Sequence, residues 1–264
     1  MLKIQKLYKV FNENTINENK VFDDFSLNVK QGDFISVIGS NVAGKSTLLN
    51  IISGNILSDD GDIIINNKNV SNMDEYKRSK IIGRVFQNPL LGVSPNMTIL
   101  ENLALADNKG KKFGLSIGIN KKRISYYEKI LKELNLGLED KLYNKVNLLS
   151  GGQRQALCML MAVMSKPKLL LLDEHTAALD PKTSLKIMDV TEKIVRDSNV
   201  TTIMITHNLK QAIKTGNRII MMHRGEVIID LEGKEKQNLT TEKLMDLFKQ
   251  INLEESLSDR SLLI

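Results

Sequence analysis

Residues able to hold phosphate stand at Gly39-Ser40-Asn41-Val42-Ala43-Gly44-Lys45-Ser46-Thr47. The glycines let successive backbone N–H groups curl around phosphate oxygens, and Lys45 adds a mobile cation. Ser46 offers its hydroxyl to a magnesium ion, and Thr47 can reach a phosphate. A second anion-binding element is Leu149-Ser150-Gly151-Gly152-Gln153, which opens a helical run from Gln153 to Met164. A serine and two glycines there leave backbone N–H groups at a helix N-terminus, where the partial positive charge attracts anions. A third element is the apolar run Leu169-Leu170-Leu171-Leu172 followed by Asp173 and Glu174. In α/β sheets ligands sit at strand ends, so two carboxylates there suit phosphoryl transfer. Asp173 would hold the magnesium shell and Glu174 would polarise the attacking water. One nucleotide does not need two helix N-termini from one chain at its phosphates. Two copies arranged head to tail would use both.

The elements that must carry these residues follow from hydrophobic periodicity. Leu2 to Val10 and Val21 to Val29 alternate as strands, and Phe34 to Ile38 is a short buried strand entering the glycine loop. Lys45 to Ile52 reads as the helix after it, and Ile63 to Ile65 and Ile81 to Phe86 as strands. Thr98 to Ala106, Ser125 to Leu134 and Gln153 to Ser165 have helical spacing. Leu169 to Leu172, Ile203 to Thr206 and Ile219 to Met222 have the continuous apolar character of central parallel strands. Arg224-Gly225 then makes a hairpin turn into Val227 to Asp230, and Thr241 to Ile251 reads as a closing helix. Strands and helices alternating around the loop predict an α/β fold with a mostly parallel sheet and helices on both faces. The expected organisation is one domain over residues 1–234, with its core in 1–95 and 165–234. A helical subdomain is inserted at about 96–164, and 235–264 forms a short tail.

Composition narrows the partners. The net charge of +6 comes from lysines spread along the chain rather than gathered in an arm or stripe, which argues against nucleic acid. The densest cluster, Lys109, Lys111, Lys112, Lys121, Lys122 and Arg123, reads as a solvated loop, with anionic lipid headgroups as the sharper alternative. No apolar run approaches the roughly 20 residues that cross a bilayer, and the N-terminus alternates like a strand rather than like a signal peptide. A cytoplasmic chain is expected. Cys158, the single cysteine, sits in an apolar helical run and is expected to pack as a small hydrophobe.

The three elements together resemble the ATP-binding cassette family: its P-loop at Gly39 to Thr47, its signature at Leu149 to Gln153 and its acidic strand at Leu169 to Glu174. Four further residues match the family in its order. Gln87 looks like the Q-loop glutamine, Asp180 in Ala178-Leu179-Asp180 like the D-loop, His207 like the switch histidine, and Phe11 like the aromatic that stacks on adenine. The resemblance implies a P-loop NTPase core with an antiparallel β subdomain at the N-terminus and the inserted helical subdomain. It implies ATP and Mg²⁺ as cofactors, with Ser46, Gln87 and Asp173 at the metal and Glu174, His207 and Gln87 in catalysis. It also implies a homodimer that sandwiches two nucleotides, with the signature Leu149 to Gln153 acting in trans. The partners would be separate membrane permease subunits and a solute-binding protein, and the chain would lie on the inner face of the cell membrane. The segments Arg84 to Pro89 and Pro95 to Ile99, with Asp173-Glu174-His175-Thr176, resemble members that serve uptake of small organic solutes such as amino acids. Two alternatives stand beside the transporter: a soluble member of the iron–sulfur assembly type, and a nucleotide-binding adaptor that cannot hydrolyse. One residue departs from the pattern. Val42 replaces a usual glycine, and a β-branched residue at positive φ costs about 1–3 kcal/mol, whereas ordinary helical backbone there costs little.

Overall fold

The computed structural model describes residues 1–111 and 118–251. Lys112 of the basic cluster and residues 252–264 of the expected tail lie outside the described residues. The chain forms two compact units, one from residues 1–79 and 201 onward, the other from 80–200.

The first stretch contains β1 (Leu2–Phe11), β2 (Asn19–Val29), β3 (Phe34–Gly39), α1 (Lys45–Ser53), β4 (Asp60–Ile65), β5 (Lys68–Asn69) and α2 (Glu75–Arg78). The second unit contains β6 (Ile82–Val85), α3 (Ile99–Asp107), α4 (Ile124–Lys132), α5 (Gly151–Met164), β7 (Leu169–Asp173) and α6 (Pro181–Ser198). The chain then returns to the first unit with β8 (Thr201–Ile205), α7 (Leu209–Lys214), β9 (Arg218–His223), β10 (Glu226–Glu232), α8 (Gly233–Gln237) and α9 (Thr241–Ile251).

In the first unit, β2-β1-β4-β5 is an antiparallel sheet, with Leu2 opposite Val29 on one side and Ile65 on the other. Its alternating Leu2, Ile4, Leu7 and Val10 are buried, as the period-two pattern requires. The buried β3 pairs in parallel with both β8 and β9, and β10 returns antiparallel along β9. Arg224 and Gly225 both have positive φ, the backbone of a tight hairpin turn.

Helix α1 stops at Gly54 in the left-handed region, whose N–H returns to the Asn50 and Ile51 carbonyls. Its last carbonyls are met by a residue the sequence did not single out. Arg78 is 0% exposed and donates to the carbonyls of Met73, Ile51, Ile52 and Ser71. Burial lowers its pKa, yet a guanidinium stays charged. Arg78→Met should leave those carbonyls without their donor and cost about 3 kcal/mol in urea unfolding. A loss below about 1 kcal/mol would mean that water replaces the guanidinium.

In the second unit, β6 and β7 pair in parallel from Ile82–Leu169 to Val85–Leu172. The helices enclose a core that includes Leu103, Tyr127, Leu131, Leu157 and Ile187. Helix α3 opens on a reciprocal capping box between Thr98 and Glu101. Helix α6, at 18 residues, was not anticipated from the sequence. Its signals are ordinary ones: Asp180 as N-cap, Pro181 at the first helical position, and Ile187, Thr191 and Val195 on a buried face.

Candidate nucleotide site

Strand β3 ends at Gly39, whose φ of 144° favours glycine and where a Cβ would run into the Met222 carbonyl. The chain then folds back, with the Ala43 amide donating to the Ser40 carbonyl at 3.2 Å. The Gly225 amide, from the β9–β10 turn, donates to the Ala43 carbonyl at 3.2 Å. Lys45 is buried and its Nζ donates to the Gly39 and Ser40 carbonyls, each at 2.6 Å. Gly44, at φ 88°, begins α1 without a side-chain cap, and the first turn carries no acidic residue. The buried Ser40 hydroxyl has no hydrogen-bond partner among the described residues. A glycine cradle, a coiled-in lysine and an unmatched hydroxyl at a helix N-terminus fit a phosphate chain.

Val42 does not share the positive φ of Gly39 and Gly44, and its side chain is 76% exposed. The strain considered for a β-branched residue at this position therefore does not arise. Val42→Gly should change the ATP dissociation constant by less than about threefold, since it only loosens the unbound loop. Fluorescent-nucleotide titration checks this, and a tenfold tighter constant would restore the strain argument.

His207 is exposed in the turn between β8 and α7. Because β8 runs parallel to β3 and the Thr206 amide donates to the Val37 carbonyl, His207 and Gly39-Ser40 leave neighbouring strands at the same carboxyl edge. Phe11 ends β1, half-buried, with Lys9 Nζ 5.2 Å from its ring centroid. Asn41 and Ser46 are exposed, and Thr47 is half-buried.

The second unit gathers its own set. The parallel register of β6 and β7 sends Gln87 and Asp173-Glu174 out at one carboxyl edge. Arg84 Nη2 lies 3.5 Å from the Asp173 carboxylate, and its guanidinium sits 4.7 Å from the Phe86 ring centroid. Glu174 adopts φ 46°, an uncommon conformation for a residue with a side chain. His175 is buried against the Thr191 hydroxyl at 3.0 Å, and burial pushes its pKa down to about 4. Thr191 donates to the Ile187 carbonyl, so the imidazole must donate to Thr191 through Nε2. His175 is a core residue, not a proton shuttle.

Ser150 caps α5, its Oγ accepting from the Gln153 amide at 3.3 Å while Gln153 Oε1 accepts from the Ser150 amide at 3.2 Å. Gln153 Nε2 also donates to the Leu136 carbonyl at 3.0 Å. The two glycines of the signature serve different ends. A Cβ on Gly151 would make only a tight contact with Leu179, whereas one on Gly152 would collide with the Thr183 methyl where α5 meets α6. Leu149 is buried beneath this cap. Asp180, expected at the D-loop, accepts from the Thr183 amide at 3.1 Å as the α6 N-cap, and hydrogen bonds from the Thr183 side chain and then its amide hold the carboxyl below the usual range.

Two side chains of α5 strap the segment after β6 to that helix, Gln155, not singled out in the sequence, and Cys158, expected there only as a packed hydrophobe. Gln155 Nε2 donates to the Phe86 carbonyl at 3.3 Å, and Cys158 Sγ donates to the Pro89 carbonyl at 3.2 Å. Burial pushes the Cys158 thiol up to about 12, so it acts here as a packed donor rather than a thiolate. Their helical spacing from Ser150 was visible in the sequence; their partners, far away along the chain, were not.

The phosphate cradle at a strand–helix turn, with the parallel strands around it, defines a P-loop nucleotide-binding cassette. The chain belongs to the ABC transporter family, whose sequence profile matches residues 22–177. Within that family it is of the ATP-binding, ATP-hydrolysing class. It is 49% identical over 249 residues to a tyrosine transport ATP-binding protein of Clostridioides difficile (strain R20291), covering 94% of this chain and 99% of that one. It is 30% identical over 239 residues to the spermidine/putrescine import ATP-binding protein PotA of Haemophilus influenzae (strain ATCC 51907 / DSM 11121 / KW20 / Rd), covering 89% of this chain and 59% of that relative. Among solved structures, it is similar to the dimeric post-hydrolysis state of the cassette MJ0796 bound to ADP and Pi. That match has a TM-score of 0.74 and 31% identity, and covers 88% of this chain and 98% of that one. The ADP conformation of the cassette MJ1267 aligns with a TM-score of 0.76 at 26% identity, covering 94% and 98%.

Proposed function

We propose that the chain binds ATP on Gly39 to Thr47 and powers a separate permease that takes up an amino acid of the tyrosine class. The observation that carries the solute is the end-to-end 49% identity with the tyrosine transport ATP-binding protein. The strand-edge arrangement supports the chemistry. Lys45, with the loop amides, would hold the phosphates; Glu174 would polarise the attacking water; His207 would meet the γ-phosphate. Gln87 would touch the metal or the water and report to the permease, and Phe11 would stack on adenine.

Magnesium fits this donor set. Among the described residues no group of three or more His, Cys, Asp or Glu could hold a metal ion. Mg²⁺ is characteristically bound through one or two carboxylates and completes its shell with phosphate oxygens, neutral oxygens and water. Asp173 and Ser46, with Gln87, would supply those ligands, and the ion would neutralise charge developing on the phosphates.

Two copies would close head to tail, each offering Ser150 to Gln153 to the other's nucleotide while Asp180 crosses toward the opposing site. The dimeric cassette among the structural relatives supports this assembly. No helix among the described residues is long and apolar enough to cross a membrane. The permease would be a separate partner, holding the cassette at the cytoplasmic face, with a solute-binding protein delivering the amino acid.

Uptake of radiolabelled tyrosine in a strain deleted for this gene tests the reading. Complementation with the wild type, but not with Glu174→Gln, is the expected result. Unchanged tyrosine uptake in the deletion strain would overturn the solute. Uptake restored equally by both alleles would overturn the role of hydrolysis.

A further inference from the structure

Nothing in this reading uses α8 and α9, yet their buried groups converge on the helix behind His207. Lys236 in α8 is only 4% exposed. Its Nζ donates to the carbonyls of Ile213, Thr215 and Gly216 at 2.9, 2.7 and 2.8 Å. These carbonyls lie at the C-terminal end of α7, where the helix dipole favours a cation. A buried ammonium is costly unless its donors are matched, so this contact is specific rather than incidental.

Helix α7 spans six residues, too few to hold its own geometry. At its start it is knitted to the turn that carries His207. Asn208 Oδ1 accepts from the Gln211 amide at 3.0 Å, the Thr206 hydroxyl donates to Gln211 Oε1 at 2.9 Å, and the Asn208 amide donates to the Thr206 hydroxyl at 3.1 Å. Along its length, Ala212 is buried in a cluster with Leu239, Leu244 and Ile38, the residue just before Gly39. The helix is therefore gripped at its end by Lys236 and on its face by residues from α8 onward, and its other end presents the histidine.

We propose that Lys236 is a positioning residue for His207, acting through α7, and that α8–α9 thereby belong to the phosphate-sensing apparatus. The inference rests on the catalytic reading of His207 given above. Lys236→Met keeps the aliphatic stem and removes the ammonium. It should lower kcat for ATP hydrolysis about tenfold with KM for ATP within about twofold. In a His207→Ala background, measured by single-turnover phosphate release, the same change should have almost no further effect, because both act through one group.

A readout independent of turnover uses the three histidines of the chain. In spectra labelled at histidine ¹³Cε1, Lys236→Met should shift or broaden the His207 signal and leave that of His175 in place. Leu239→Ala loosens the same grip without exposing a buried cation, and should move the His207 signal in the same way if Lys236→Met does not fold. An equal loss of kcat in both backgrounds, or a His207 signal unmoved in both variants, overturns the proposal. Wild-type turnover in His207→Ala alone would instead overturn the catalytic reading of His207.

Discussion

Glu174→Gln is expected to cut steady-state ATP hydrolysis by about 100- to 10,000-fold, the range typical of removing a positioned general base. ATP binding should survive, because Gly39, Ser40 and Lys45, which shape the expected phosphate cradle, are left unchanged. Glutamine has nearly the same shape and can occupy the same backbone. That backbone matters: Glu174 leaves β7 at φ 46°, a conformation that costs a non-glycine residue about 1–2 kcal/mol. With hydrolysis blocked, the ATP-bound pair of chains should accumulate as a dimer. Phosphate release and size-exclusion chromatography with ATP and magnesium read both effects. Turnover within about threefold of wild type would exclude Glu174 as the base.

The parts of this site legible in the sequence are those made by short-range pattern. Gly39 to Lys45 carries its turn in its own glycines, and Leu169 to Asp173 announces a buried strand by being continuously apolar. Parallel pairing then does the rest, since it brings the ends of β3 and β8, and of β6 and β7, to shared edges. What escaped depends on partners distant along the chain. Arg78 reads as a surface charge until its guanidinium is found on the carbonyls ending α1. Lys236 reads as one of many lysines until three carbonyls at the end of α7 surround it. Gly152 looks like an anion-binding glycine, yet its lack of a side chain is what lets α5 approach Thr183. The expectation about Val42 turned on one dihedral angle, which residue type alone does not determine. Helix α6 is a different case: Asp180 and Pro181 are a clear start signal, and only the reading of Asp180 as a functional loop residue hid it.

Ser150→Arg should abolish hydrolysis, by about 100-fold or more, while the isolated chain binds ATP as tightly as wild type. Ser150 is exposed at the start of the 14-residue α5, whose first turn carries no acidic side chain. Gln153 is already engaged within the fold, on the Ser150 amide and the Leu136 carbonyl. The surface that remains for an incoming phosphate is the serine hydroxyl with the glycine amides beside it, backed by the positive end of the helix. Arginine fills that surface and cannot accept the Gln153 amide, so it also loses the cap, a cost of about 1 kcal/mol. Ser150→Gly separates the two effects. It removes the hydroxyl but leaves the space, costs the helix only a few tenths of a kcal/mol, and should retain part of the turnover. The decisive measurement combines substitutions: Glu174→Gln alone should dimerise with ATP, and Glu174→Gln with Ser150→Arg should stay monomeric while still binding ATP. Dimerisation of the double variant would mean that the α5 N-terminus does not face the partner's nucleotide, and the head-to-tail arrangement would have to be given up.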